Sequence, residues 1–378
     1  MKNYHRTGVA LVAACFLPLS FVVQAKEKGL TQAVDKVFAD IEDNNRPGCA
    51  VGVIHHGEYL LKKGYGLANL EYDLPVTPQT VFRTGSVSKQ FTAMAIALLA
   101  EEGRLDLDAD VHRYLPELRD YGKPVTVRQM VHHVAGMGDY DPDLFLKADG
   151  SEFRFGNEDY WTIEEFYAAV SDVPLRMEPG TRWEYSNLAY FLLSQVVERV
   201  SGLSLRRYAD KTIFKPLGMS HSLFYDDVNE LVRNRADGYS RKETGEYELY
   251  MTNLSWVGDG GVYTSLDDFI AWDRNWTHNT LGKGEPALIE LTTTPLPGFE
   301  TESSEIFGEH AAYAFGLFVS ERDGVKLIGH TGGWVGFSSV YLRFPEKELS
   351  VVTFCNSTDA SASELGNAVA DISLRLLD

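Results

Sequence analysis

The order of elements readable in the sequence predicts an α/β protein of the α+β type. One sheet is completed by both ends of the chain and flanked by an N-terminal and a C-terminal helix, with a large helical region inserted between. Three observations carry this. An amphipathic helix and two strands open the folded part, a helix-rich, aromatic and acidic section fills the middle, and short strands joined by turns return before a final helix. The 378 residues, 44% hydrophobic and 24% charged, suit a folded globular chain of two domains, or one large domain with an insertion. No internal repeat, low-complexity tract or long linker interrupts them.

Lys2 and Arg6 precede an apolar stretch from Gly8 to Val23 that is broken by Pro18. Val23-Gln24-Ala25 then offers small or slim residues where a signal peptidase reads, which predicts a signal peptide over residues 1–25 and an exported protein, periplasmic or secreted. The stretch is short against the ~20 residues a spanning helix needs. Val12-Ala13-Ala14-Cys15 resembles a lipobox, but the sequence after Cys15 stays apolar where a lipoprotein linker turns polar, so lipid anchoring is the minor reading. Cleavage removes two basic groups and no acid, taking the net charge from −19 to −21. So acidic a surface repels phosphate backbones and anionic lipid, which argues against nucleic-acid and membrane partners for the mature chain. Only Cys49 and Cys355 remain after cleavage, too few for a disulfide scaffold or a zinc cluster. They form either one bridge or two buried thiols, and the commonness of free cysteine in cores favours thiols.

Leu30, Val34, Val37, Phe38 and Ile41 share one helical face, so residues 29–43 read as a helix ended by Pro47-Gly48. Cys49–Ile54 and Tyr59–Tyr65 read as strands joined by a turn at His55-His56-Gly57-Glu58. Adjacent histidines at a strand end point to opposite faces, so they are turn residues and not metal ligands. From Ser86 to Ala100 nearly every side is apolar, the mark of a helix buried all round, with Gly103 as its stop. Asp106, Asp108, Asp110 and Glu117 mimic part of a calcium loop, but Val111 stands where its sharp turn needs glycine, so they read as solvated acids. Phe315–Val319, Val325–His330, Ser338–Phe344 and Leu349–Cys355 are the returning strands, and Ser363–Leu377 is the last helix. The expected division is a sheet domain over 26–80 and 305–378 and a helical region over 81–304.

Three motifs carry chemistry. In Ser86-Val87-Ser88-Lys89, Ser86 and Lys89 share a face at a helix start. A serine hydroxyl needs a base to take its proton, and a lysine serves only when neutral, which burial favours. The helix start also offers free N–H groups to an oxyanion. Ser88 is excluded because Lys89 projects about 100° away from it. In Tyr185-Ser186-Asn187, before a helix over Leu188–Ser201, Tyr185 suits proton shuttling if a cation lowers its pKa from ~10, and Asn187 suits a hydrogen bond to a substrate amide or to the lysine. In His330-Thr331-Gly332-Gly333, the glycines let a ligand or backbone approach, and the Gly333 N–H becomes a second oxyanion donor beside that of Ser86. The first two motifs alone also fit a bland reading: an N-cap serine with a surface lysine, and a tyrosine in a loop before a helix.

Together and in this order they resemble the serine β-lactamase and penicillin-binding-protein family, with its S-x-x-K, Y-x-N and K/H-T/S-G elements. The likeness is closest to the class C β-lactamase-related branch, which includes D-aminopeptidases, D-Ala-D-Ala carboxypeptidases and esterases. Leu105–Asp110 with Tyr114–Glu117, Val125–Met130 with His133–Gly136, Phe214–Met219, and Gly260–Ser265 with Trp272 extend it over roughly residues 30–375. The resemblance implies a β-lactamase/transpeptidase-like fold with an antiparallel sheet. It implies Ser86 as the acylated nucleophile, Lys89 and Tyr185 as its acid/base pair, Asn187 as a substrate-positioning residue, and His330, Thr331 and Gly332 as pocket lining. It also makes the first strand and a late strand neighbours, so that Cys49 and Cys355 face each other and pair as a disulfide. His133 and Ala135 stand where the family shows a His-Thr-Ser-Gly turn and are read as structural.

The expected activity is therefore an exported serine hydrolase acting on a small-molecule or peptide substrate, including cell-wall-derived ones, with no cofactor and no metal. Where the family's β-lactamases place a lysine, this chain has His330, mostly neutral at pH 7 with an ordinary pKa of ~6.5. That tilts the substrate toward esters or D-amino-acid amides and peptides, with a true β-lactamase or D-Ala-D-Ala carboxypeptidase as the alternative. A non-catalytic penicillin-recognising or envelope-binding protein is the rival of another class, disfavoured because a binder needs no paired base. Oligomeric state and the role of the acidic stretch 139–161 are not legible in the sequence.

Overall fold

The computed structural model describes residues 19–42, 46–140 and 159–377. Most of the expected signal peptide, Cys15 and most of the acidic stretch fall outside them. Helix α1 (Leu19–Val37) leads into strands β1 (Cys49–His55) and β2 (Glu58–Tyr65). The middle of the chain supplies α2 (Lys89–Glu101), α3 (Asn187–Ser201) and α4 (Leu266–Asn275), among shorter pieces. The chain returns through β3 (Ala312–Tyr313), β4 (Phe318–Arg322), β5 (Val325–Trp334), β6 (Phe337–Phe344) and β7 (Leu349–Cys355), and closes with α5 (Ala362–Leu377).

Seven strands form one antiparallel sheet in the order β3-β4-β5-β6-β7-β1-β2. The last strand, β7, thus lies between the first and β6, which places both chain ends in one sheet. Its seven residues are all buried because both faces are covered. Alternation divides them: Val351 and Cys355 join Val34, Phe38, Val53 and Val369 under the terminal helices, while Val352 and Phe354 join Phe82, Phe91 and Phe269 under the inserted region. A β-sheet between two helical layers is the α+β arrangement expected.

Cys49 and Cys355 stand directly opposite in the β1–β7 register, Cα atoms 4.1 Å apart, and are joined by a disulfide. The preference for two free thiols is thereby corrected. Core burial and bridging coincide here, because both cysteines lie in the same apolar layer.

Several other expectations shift. Regular helix in α1 ends at Val37, with turns continuing to Ile41. The strand placed at Phe315–Val319 begins at Phe318, since residues 314–317 form a turn in which Ala314 N–H donates to Leu317 O. The inserted region also carries small sheets, one of which pairs Phe82–Arg83 with Val262–Thr264 and that strand with Leu223–Phe224. Not all the loop acids are merely solvated: Arg128 grips Asp108 through two bonds of 2.7 and 2.9 Å, and Arg199 pairs with Glu117 at 2.6 Å. Strand alternation fails at the histidine pair, because His56 turns at φ +51°. The two rings lie 3.9 Å apart, and His56 pairs with Glu348.

Candidate active site

Ser86 lies in a tight 3-10 turn, Gly85–Ser88, and not in the first turn of an α-helix; Lys89 begins α2 directly after it. The turn is tied down on both sides. Thr84 N–H donates to Val262 O at 2.9 Å, and Ser339 Oγ donates to Thr84 O at 2.6 Å. Ser88, the rejected nucleophile, is buried and accepts from Val262 N–H at 2.9 Å. Strand β5 runs against the turn at backbone contact. A Cβ on Gly85 would stand 2.6 Å from Gly333 N, and one on Gly332 would stand 2.2 Å from Thr84 O and 3.0 Å from Ser86 N. Glycine at both positions is what lets strand β5 approach the turn that carries Ser86 this closely.

Lys89 is fully buried and holds three oxygens: Asn187 Oδ1 at 2.6 Å, Asp259 O at 2.6 Å and Ser86 Oγ at 3.2 Å. Burial lowers its pKa to about 8, although the carboxylates of Asp259 and Asp139 pull the other way. The geometry fits the neutral amine well. As an ammonium Lys89 donates to all three oxygens; once it loses a proton, the two partners that can only accept keep its two N–H bonds, and the lone pair is left for the Ser86 hydroxyl.

Asn187 opens α3, and its position there is set by a residue not singled out in the sequence. Asp139 accepts from Asn187 Nδ2 at 3.0 Å and from Asn187 N–H at 3.3 Å. That contact turns the amide oxygen toward Lys89. Of the two roles open for Asn187, the lysine therefore claims the oxygen. Ser186 caps α3 through Ala189 N–H, while its own N–H donates to buried His133 Nδ1 at 3.1 Å, which fixes the loop carrying Tyr185.

The Tyr185 hydroxyl hydrogen-bonds Ser86, and its ring lies 4.8 Å from Lys89 Nζ. Burial pushes its pKa well above the ordinary value; the Ser86 bond opposes this, and the carboxylates of Asp139 and Asp259 add to it. The cation beneath the ring does not reverse the sign, so the phenol keeps its proton at neutral pH.

His330 departs from the expected pocket lining. It is 2% exposed, its Nδ1–H donates to Thr331 O, and its Nε2 accepts from the Tyr313 hydroxyl at 2.9 Å. Burial, with Lys89 nearby, lowers its pKa to about 3, so the ring is neutral. It supports Tyr185 and Phe318 from behind, ring centroids 6.1 and 5.0 Å away, and offers the cleft no charge. Thr331 and Gly332 are half-exposed, and Gly333 is exposed with nothing within 4 Å of where a Cβ would stand.

The cleft itself is lined by Arg83, Gly85, Ser86, Asn187, Trp256, Asp259, Gly260, Gly333 and Trp334. Arg83, Asp139 and Asp259 are the residues that reading the motifs missed. Asp139 heads the acidic stretch, and Asp259 lies inside the glycine run Gly258–Gly261, which is the signal that pointed toward both. Among the described residues, no group of three or more His, Cys, Asp or Glu side chains is placed to hold a metal ion.

The beta-lactamase family model matches residues 31–374. The D-aminopeptidase of Gluconobacter oxydans is 30% identical over 315 residues, 83% of this chain and 57% of that protein's length. Penicillin-binding protein 4* of Bacillus subtilis is 26% identical over 82% of this chain and 68% of its own. The structure of the octameric penicillin-binding protein homologue from Pyrococcus abyssi superposes with a TM-score of 0.78 at 29% identity, covering 92% of this chain and 77% of that one. Because the family match runs from α1 to α5 and takes in all three stretches that meet around Ser86, this chain belongs to the beta-lactamase family.

Proposed function

We propose that this protein is a serine hydrolase that cleaves an ester or amide through an acyl-enzyme on Ser86. The observation that carries this is the hydrogen-bond arithmetic at Lys89: two obligate acceptors and one hydroxyl surround an amine whose pKa is about 8. Neutral Lys89 takes the Ser86 proton as Oγ attacks the substrate carbonyl carbon. The resulting oxyanion sits between the N–H groups of Ser86 and Gly333, where loss of one donor typically costs about 3 kcal/mol. As the tetrahedral intermediate collapses, the proton on Lys89 passes by way of the Tyr185 hydroxyl to the leaving group, and an ester on Ser86 remains. Water attacks the acyl carbon and gives a proton along the same path to Lys89, which returns it to Ser86 Oγ as the ester bond breaks and the acid leaves. Tyr185 works as a neutral donor and relay, while Lys89 is the base.

The substrate class leans to esters and D-amino-acid amides or peptides. A relative named as a D-aminopeptidase supports the lean, and so does neutral, buried His330, which brings no charge where the family's β-lactamases place a lysine. Residues 1–25 support export to the periplasm or medium. The test is Ser86→Ala, expected to abolish labelling by a fluorophosphonate and turnover of a short-chain nitrophenyl ester. Undiminished labelling places the nucleophile elsewhere. Parallel assays with a D-aminoacyl anilide and a chromogenic cephalosporin rank the substrates; a cephalosporin turned over far faster than the ester overturns the lean.

A further inference from the structure

Two side chains of opposite charge line the cleft beside Ser86, each with a polar atom that finds no hydrogen-bond partner among the described residues. Asp259 is 6% exposed, and its Oδ1 has no hydrogen-bond partner among the described residues. Arg83 is 3% exposed, and its Nε and Nη1 likewise have none. The guanidinium is held in place by rings, 5.9 Å from the centre of Tyr263 and 5.8 Å from that of Trp334, and rings satisfy no N–H bond well. Asp259 spends its backbone carbonyl on Lys89, which fixes its position; the Tyr140 hydroxyl and the Arg83 charge act on its carboxylate, and Oδ1 is left without a bond. Burying a charge without a hydrogen bond is costly, and both costs fall in one cleft next to the nucleophile. Elsewhere the chain pairs its buried charges: Arg343 bonds Asp273 at 3.0 Å. A cleft that keeps one cation and one anion unsatisfied is complementary to a ligand that carries the opposite charges in the opposite order.

We propose that Asp259 and Arg83 are specificity residues that receive, respectively, a free ammonium and a free carboxylate of one short zwitterionic substrate, such as a dipeptide with both ends unblocked. This rests on Ser86 being the nucleophile and names the substrate class for that site. Burial raises the Asp259 pKa, with the Lys89 ammonium and Tyr140 hydroxyl opposing, so an incoming ammonium also relieves an unfavourable carboxylate. A substrate blocked at either end leaves one of the two charges buried and unmet.

The experiment measures inhibition of nitrophenyl-ester hydrolysis by D-alanylglycine, its N-acetyl form and its C-terminal amide. In the wild type, blocking either end is expected to raise Ki at least tenfold. Asp259→Asn is expected to erase the penalty of N-acetylation, and Arg83→Gln the penalty of amidation. Each comparison is a ratio within one variant, so a general loss of activity cancels. Equal inhibition by all three compounds in the wild type, or variants that keep both penalties, overturns the proposal. Calorimetric binding of the same compounds to Ser86→Ala reads the charge pair without turnover. If Ser86 is not the nucleophile, ester hydrolysis survives in that variant, whereas failure of the charge pair alone leaves Ser86 labelled and the three binding constants equal.

Discussion

Lys89 and Arg343 are both cations sunk in the interior, yet their surroundings differ in kind. Arg343 faces a carboxylate: Asp273 Oδ1 accepts from it at 3.0 Å and from the Tyr341 hydroxyl at 2.6 Å. Burial works against the charge on Arg343, but Tyr341 and Asp273 outweigh it and raise its pKa. Lys89 faces an amide oxygen, a peptide carbonyl and a hydroxyl, with the Asp259 and Asp139 carboxylates acting only as neighbours, and burial wins. A cation given a carboxylate partner stays charged and clamps β6 to α4. One given neutral oxygens is poised near neutrality and can trade a proton with the serine beside it.

The sharpest way to break this contrast is Lys89→Met, which keeps the stem and removes the amine. Ester turnover is expected to fall about 10²–10⁴-fold, the usual contribution of a positioned base. The variant's effect on stability should depend on pH. The folded pKa of about 8 lies below the unfolded value of 10.5, so the charged amine is penalised by about 3 kcal/mol at pH 7. That penalty is complete below pH 8 and fades as pH rises toward 10.5. Urea melts should therefore favour the variant, relative to wild type, more at pH 7 than in alkali, where wild type is free of the penalty. A strongly destabilised variant would make Lys89 a structural cation after all.

Asp273→Ala is the mirror test. It strands Arg343 in the core, and denaturation should register a loss of about 3–5 kcal/mol. A loss under 1 kcal/mol would mean the pair contributes little to the fold. A smaller effect is expected from replacing Cys49 and Cys355 together by serine: about 2–4 kcal/mol, read from the same melts. The smallest is a pH profile. With Lys89 as the base, log kcat/KM should climb with slope one through neutral pH and flatten above about 8, since only the deprotonated amine accepts the serine proton. A profile already flat from pH 6 would assign the base to another group.

Local signals made much of this protein legible. The apolar face from Leu30 to Ile41, the hairpin at Gly57 and the returning strands after Val325 each depend on residues close in sequence, and the sheet with its terminal helices followed from them. The three motifs were legible for the same reason: a serine three places before a lysine, or two glycines after a strand, is a short-range pattern. Their meeting in one cleft agrees with the resemblance that joined them.

What no short stretch contained was the company each side chain keeps. Asp139 and Asp259 come to Asn187 and Lys89 across 48 and 170 positions, and neither belongs to a motif. His330 looked like pocket lining, but the burial that turns it toward Tyr313 is a property of packed elements. Whether two cysteines pair depends on the register of β1 against β7, and a shift of one residue would part them. Composition and periodicity therefore determined which segments exist and which residues can do chemistry. Partners and protonation were decided only by the tertiary structure, because desolvation and hydrogen bonding act through space, between atoms that the chain order leaves far apart.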